Sequence, residues 1–188
     1  MKEVILFLKI DMKLRIFLNV LILAILLSAA SVSCTPAPWQ PISLASFTEN
    51  YVDVSIHLDR SSSGNYFLSA IFMPPAGYHL YSKDIPITGV NGLGRPTLLE
   101  LTPESRMKAI GELTESTKVE EPDFEPKDLF VYPLGAVTLS LPVQLPPGNA
   151  WVDDELKITY MVCNANQCKP PVEGKIISVR VPGTDAIK

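Results

Sequence analysis

Prolines set the terms on which this chain can fold. There are 17 of them in 188 residues. A proline inside a helix removes a backbone donor and clashes with the preceding turn, so this density works against long helices. What lies between the prolines is short and strand-like. From Tyr51 to Asp59, Val52, Val54, Ile56 and Leu58 point one way and Asp53, Ser55, His57 and Asp59 the other, the period of a half-buried strand. Ser61-Ser62-Ser63-Gly64-Asn65 is a turn sequence. Tyr66 to Met73 returns as a second strand, which completes a hairpin.

The pattern continues along the chain. Pro74-Pro75-Ala76-Gly77 is a break, Tyr78 to Ser82 a short strand, and Asp84 to Pro96 a Gly/Pro-rich connection. Thr97 to Leu101 and Arg106 to Leu113 are strand candidates. Thr114 to Asp128 is acidic, holds Pro122 and Pro126, and reads as a long exposed loop. Phe124 lies in its middle, and a large aromatic alone in an acidic loop is expected to cover something. Leu129 to Leu145 is apolar and β-branched, cut by Pro133 and Pro142. Glu155 to Cys163 alternates, and Gly174 to Val181 closes the series. About eight or nine short strands with turns between them predict an all-β, immunoglobulin-like β-sandwich. Hydrophobic residues make up 47% of the chain, enough for a core that does not depend on disulfides.

The N-terminal segment reads as an export signal. Lys13 and Arg15 precede an apolar run from Ile16 to Ala30, broken only by Asn19 and Ser28, and small residues follow up to Cys34. Positive, apolar, small is the secretory order, and the run is short for a membrane span of roughly 20 residues. Met12 is an alternative start. Cys34 stands where a lipoprotein signal places its acylated cysteine, with Ser31 in the usual leucine position. Ordinary cleavage after residues 30–33 and an uncleaved anchor are the alternatives. Each puts the domain outside the cytoplasm, in the periplasm or at the cell surface, where disulfides persist. The expected organisation is a signal over 1–34, a tether over 35–48, the sandwich over 49–183 and a tail over 184–188. Without residues 1–33 the chain has 12 basic and 18 acidic residues. No basic face for nucleic acid is visible.

With Cys34 set aside, one cysteine pair remains: Cys163 and Cys168, with Asn164-Ala165-Asn166-Gln167 between them and Pro170-Pro171 after. Leu156, Ile158, Tyr160 and Val162 share the apolar face of the strand that leads in. Cys163 is therefore expected on the other, more polar face, at the surface or under a loop. Closing a ring of about six residues restricts the unfolded chain by only about 2 kcal/mol. A bridge between strands also asks the Cβ atoms to approach to about 3.8 Å. Such a bridge tends to be readily reduced. On the residues alone, a redox couple, a structural staple and a metal site remain open. Zinc is disfavoured for want of a second ligand pair. A soft copper site would need Met161 and His79 beside the cysteines. Lys169 is the one cation near in sequence, either favouring a thiolate at Cys168 or solvated at the surface; His57 reads as exposed on the first strand.

This stretch resembles the N-terminal periplasmic domain family of the thiol:disulfide interchange protein DsbD, in particular its stand-alone relatives. Two cysteines in a late hairpin followed by Pro-Pro match Cys163, Cys168, Pro170 and Pro171. Gly77-Tyr78-His79-Leu80-Tyr81 is similar to the family's Gly-Tyr-Tyr-Leu-Tyr strand, with His79 replacing one tyrosine. Asp123-Phe124-Glu125 is similar to its cap loop, in which a phenylalanine shields the cysteines. The likeness spans roughly Tyr51 to Val181. It implies an immunoglobulin-like fold and a catalytic pair, Cys163 and Cys168, with Phe124, His79, Tyr81 and Asp123 as cap and neighbours. It also implies a relay without metal or cofactor. A membrane-embedded thiol reductant or a thioredoxin-like protein would reduce the disulfide, and the dithiol would reduce oxidised exported client proteins. Cys168 would exchange with the partner and Cys163 would resolve. The chain would reach the membrane through a lipid on Cys34. The competing expectations are a binding or adhesion lipoprotein with a structural cystine, and a copper-handling lipoprotein.

Overall fold

The computed structural model describes residues 39–187. Cys34 and the expected signal lie outside the described residues. Within them the chain forms strands and no helix. β1 (Ile42–Glu49), β2 (Val52–Arg60) and β3 (Tyr66–Met73) form a meander. β4 (His79–Leu80), β5 (Leu98–Leu101), β6 (Lys108–Ala109) and β7 (Thr114–Glu115) are short. β8 (Val137–Gln144), β9 (Trp151–Tyr160), β10 (Val162–Cys163) and β11 (Val172–Pro182) complete the order.

One antiparallel sheet runs β1-β2-β3-β8-β6, with β7 also on β8, and a second runs β11-β9-β5. Their inner faces share one apolar core, which makes an immunoglobulin-like β-sandwich. Val52, Val54, Ile56 and Leu58 of β2 and Leu68, Ala70 and Phe72 of β3 face Leu156, Ile158 and Tyr160 of β9. The Phe72 and Tyr160 rings meet edge to face across the core, with centroids 5.7 Å apart. The period-two readings of β2 and of β9 into β10 thus land their named apolar sets, Val52, Val54, Ile56 and Leu58 and Leu156, Ile158, Tyr160 and Val162, inside.

Several boundaries differ from expectation. The expected tether over 35–48 gives way to β1 from Ile42 onward. β1 is only half-buried along its length, and a register shift between Ser43 and Ala45 breaks its alternation, so it carries no clean period. Pro142 does not cut the apolar run: β8 passes through it. The outer neighbour is interrupted at that point, with β6 pairing Val143 and Gln144 and β7 pairing Leu139 and Ser140. The missing donor of Pro142 therefore faces the gap between them. Of the strand expected over Arg106 to Leu113, only β6 pairs. Residues 184–187 are docked: Thr184 N–H donates to Pro146 O and Asp185 N–H to Gly148 O, and Ile187 packs against the core.

Two polar devices brace the sandwich. Asp154 is buried on β9, and its carboxylate accepts from the N–H groups of Arg106 and Met107 and from the Ser105 hydroxyl, each at 3.1 Å. It also accepts from Glu155 N–H. Four donors replace the water that a buried carboxylate loses. The β1–β2 loop is the two-residue pair Asn50-Tyr51, both with positive φ (49° and 68°). It brings Asn50 Nδ2 within 2.8 Å of Pro170 O, just beyond the second cysteine.

Candidate functional site

β9 ends at Tyr160, and after Met161 the chain re-enters as β10, which pairs antiparallel with β4. Val162 faces Leu80 and Cys163 faces His79. Asn164 N–H then donates to Gln167 O, and the Asn164 side-chain oxygen accepts from the N–H groups of Asn166 (2.9 Å) and Gln167 (2.8 Å). An asparagine that satisfies the donors two and three residues on is the chemistry of an Asx turn. Lys169 N–H returns to Val162 O, so Cys163 and Cys168 face each other across the hairpin with Cα atoms 4.0 Å apart, and they form a disulfide. Gln167 Nε2 donates to the Tyr78 hydroxyl at 2.7 Å, which ties the turn to the segment entering β4.

The two cysteines differ in access. Cys163 is 2% exposed, in a second apolar cluster with Tyr81, Ile85, Leu129 and Val131. Cys168 is exposed. Strand alternation places Cys163 off the main core face, as expected, but that face is covered rather than polar. The segment 129–132 lies over it, Tyr132 N–H donating to Leu80 O, Ser82 N–H to Phe130 O, and Val131 bridging Tyr81.

A cleft of about 990 Å³ opens beside the disulfide and is lined in part by His79, Tyr81, Phe124, Leu134, Cys163 and Cys168. Phe124, in the loop after β7, stacks on His79 with centroids 5.7 Å apart and planes 24° apart. His79 also meets Tyr81 edge to face at 5.3 Å. The structure therefore gathers Cys163, Cys168, Phe124, His79 and Tyr81 at one cleft, with Asp123 on its rim. The loop is braced by the paired N–H and C=O groups of Glu120 and Val131 and by Lys127 Nζ on Pro122 O. The Glu125–Pro126 peptide within it is cis.

Burial dominates the electrostatics. The imidazole of His79 is held below its ordinary value of 6.5 by desolvation, with the Asp123 carboxylate opposing. Desolvation pushes the Tyr81 phenol up to about 12. Tyr132, whose hydroxyl accepts from Lys83 N–H, is likewise pushed up to about 12 by burial. Glu120, Glu121, Asp123 and Glu125 are all exposed on the covering loop. Lys169, on the hairpin, makes two contacts of its own. Its ammonium lies 4.3 Å from the centroid of the Tyr51 ring and 3.3 Å from Gln167 Oε1. Among the described residues, no three His, Cys, Asp or Glu side chains gather as a metal-holding group.

Sequence reasoning missed part of the site. Gly94 has φ 73°, and a Cβ there would stand 2.7 Å from Leu129 Cδ1 and 3.2 Å from the Tyr81 ring. The chain at Gly94 can therefore press directly on the cluster that holds Cys163. Leu93 and Leu134, both more than half exposed, flank the cleft. The signal was the run Gly92-Leu93-Gly94, which composition alone reads as a connection.

Fold and site together define an immunoglobulin-like sandwich with a hairpin cystine at a cleft, one sulfur-bearing residue buried and the other exposed. Among solved structures the chain is similar to the crystal structure of the Neisseria meningitidis DsbD n-terminal domain in the reduced form. Identity is 18% and the TM-score 0.44, over 72% of this chain and 87% of that one. No protein-family model matches the chain, and no curated protein matches it.

Proposed function

We propose that this chain is an extracytoplasmic thiol:disulfide exchange protein in which Cys163 and Cys168 form the redox couple. The observation that carries the reading is the unequal access of the two cysteines at the mouth of one cleft: Cys168 exposed, Cys163 buried. Exchange proceeds by thiolate attack through a mixed disulfide. An exposed sulfur takes the partner, and a shielded one resolves the intermediate. The sequence motifs around Cys163, His79 and Phe124 support the same assignment. In this reading a membrane-embedded reductant or thioredoxin-like protein delivers two electrons to the disulfide. The dithiol passes them to disulfides of exported proteins. Phe124 shields the couple between encounters, with Asp123, His79 and Tyr81 as its surroundings. Residues 1–34 export the chain, and acylation of Cys34 holds it at the membrane.

The test is capture. In a Cys163→Ala variant expressed in its own envelope, Cys168 is expected to accumulate mixed disulfides with a thioredoxin-like or membrane partner. If it captures none, the relay is wrong. A purely structural cystine is separated by redox titration, since it resists reduction with a potential below about −300 mV. For the anchor, Cys34→Ser is expected to release the protein from membranes; retention would overturn lipidation.

A further inference from the structure

Within that exchange reading, Cys163 must be freed of its proton inside an apolar pocket. Cys163 is 2% exposed among Tyr81, Ile85, Leu129 and Val131. Such surroundings disfavour a charged sulfur, so attack by Cys163 calls for a proton acceptor at hand. A thiol is a poor nucleophile, and the proton has to leave as the sulfur attacks.

The structure offers one well-matched acceptor. His79 is the register partner of Cys163 in the β4–β10 pair. Directly opposed residues of an antiparallel pair project on the same side, with Cα atoms about 4.5–5.5 Å apart. The imidazole is fixed between Phe124 and Tyr81. Its Nε2 is buried and has no hydrogen-bond partner. We propose that His79 is the proton acceptor for Cys163 when Cys163 resolves the mixed disulfide at Cys168.

The neighbouring groups are less suited. On the covering loop the carboxylates of Glu120, Glu121, Asp123 and Glu125 are exposed, whereas Cys163 is buried. On β4's side Tyr81, and on the segment before β8 Tyr132, are phenols pushed up to about 12, protonated at neutral pH. Arg95, across the cleft, is paired with Glu173 and bonded to backbone carbonyls. On the cysteine hairpin Lys169 is held at Tyr51 and Gln167. Burial keeps His79 below its ordinary value against the pull of Asp123, so at pH 7 it is neutral and ready to accept.

The step balances as follows. The Cys163 thiol gives its proton to Nε2, and its sulfur attacks Cys168 Sγ. The Cys163–Cys168 bond forms as the bond from Cys168 to the partner sulfur breaks, and that electron pair leaves on the partner thiolate. This chain's dithiol is oxidised by two electrons and the partner disulfide reduced by two. The imidazolium then gives its proton to the departing thiolate.

The experiment mixes reduced full-length protein with dithiobis-nitrobenzoate, in a Cys34→Ser background so that the third thiol is silent. Each attack releases one coloured thiol. The first phase scales with reagent and reports Cys168; the second is independent of reagent and reports Cys163. In His79→Gln and His79→Phe, the latter keeping an aromatic ring against Phe124, the second phase is expected to fall roughly a hundredfold relative to the first. Its rate should then climb about tenfold per pH unit where the wild type is flat. Wild-type ratio and pH profile in both variants would reduce His79 to packing and overturn the proposal. A wild type with a first phase and no second would overturn it too, while leaving exchange at Cys168 intact. Absence of any reaction would remove the exchange reading itself.

Discussion

The ring of Phe124 lies over the imidazole of His79, 5.7 Å between centroids and 24° from parallel. That single stack joins the acidic loop to the strand opposite Cys163. An aromatic pair contributes about 0.5–1.5 kcal/mol beyond its buried area, and 1.4 kcal/mol is about tenfold in a rate or a population. Phe124→Ala is therefore expected to raise the alkylation rate of the reduced protein by up to about tenfold. Equal rates in variant and wild type would remove Phe124 from the shielding of the couple.

The lowered proton affinity of His79 also has a consequence for stability. Its folded value lies below the unfolded one, so the unfolded chain binds the proton first as pH falls. Stability linked to this group is intact above about pH 6.5 and declines below it, until the folded imidazole titrates as well. In His79→Phe that part of the pH dependence should vanish. Parallel urea midpoints for the two proteins between pH 5 and pH 8 measure it; superimposable slopes would contradict it.

Gly94 is expected to tolerate no side chain. A Cβ at this left-handed position meets Leu129 and Tyr81. Gly94→Ala should cost about 1–3 kcal/mol through strain and overpacking. It should also alter the reactivity of Cys163 by moving its apolar cover. A chemical denaturation midpoint equal to wild type would show that the cluster yields without cost.

Asp154 holds the 105–107 segment to β9 through backbone and hydroxyl donors. Removing its carboxylate strands the buried Met107 N–H, worth about 1–3 kcal/mol when left unpaired, and the part-buried donors of Ser105, Arg106 and Glu155 beside it. Asp154→Ala is expected to lower stability by about 2–4 kcal/mol with the cysteine chemistry unchanged. Unfolding curves test the first half and thiol titration the second.

How much of this was legible depends on where packing was local. The faces of β2 and of β9 from Glu155 on could be read because each is buried continuously on one side. β1 could not, since half-burial and a bulge erase its period. The neighbours named for the cleft, His79, Tyr81, Phe124 and Asp123, do converge on it. Cys163 was expected at the surface or under a loop, and the covering residues themselves went unread because Leu129 and Val131 lie some thirty residues earlier in the chain. The contact of Lys169 with Tyr51 could not be read, because the β1–β2 loop that presents Tyr51 was not foreseen.

The side chain of Asn164 organises the loop between the cysteines by its own hydrogen bonds, without help from sulfur. Cutting the sulfur bridge therefore leaves those bonds in place. On reduction the hairpin is expected to gain little freedom, so that its two thiols stay confined together at high effective molarity. Under the proposed exchange, a couple built this way is expected to reclose in one short intramolecular hop, which limits the time a captured partner remains attached.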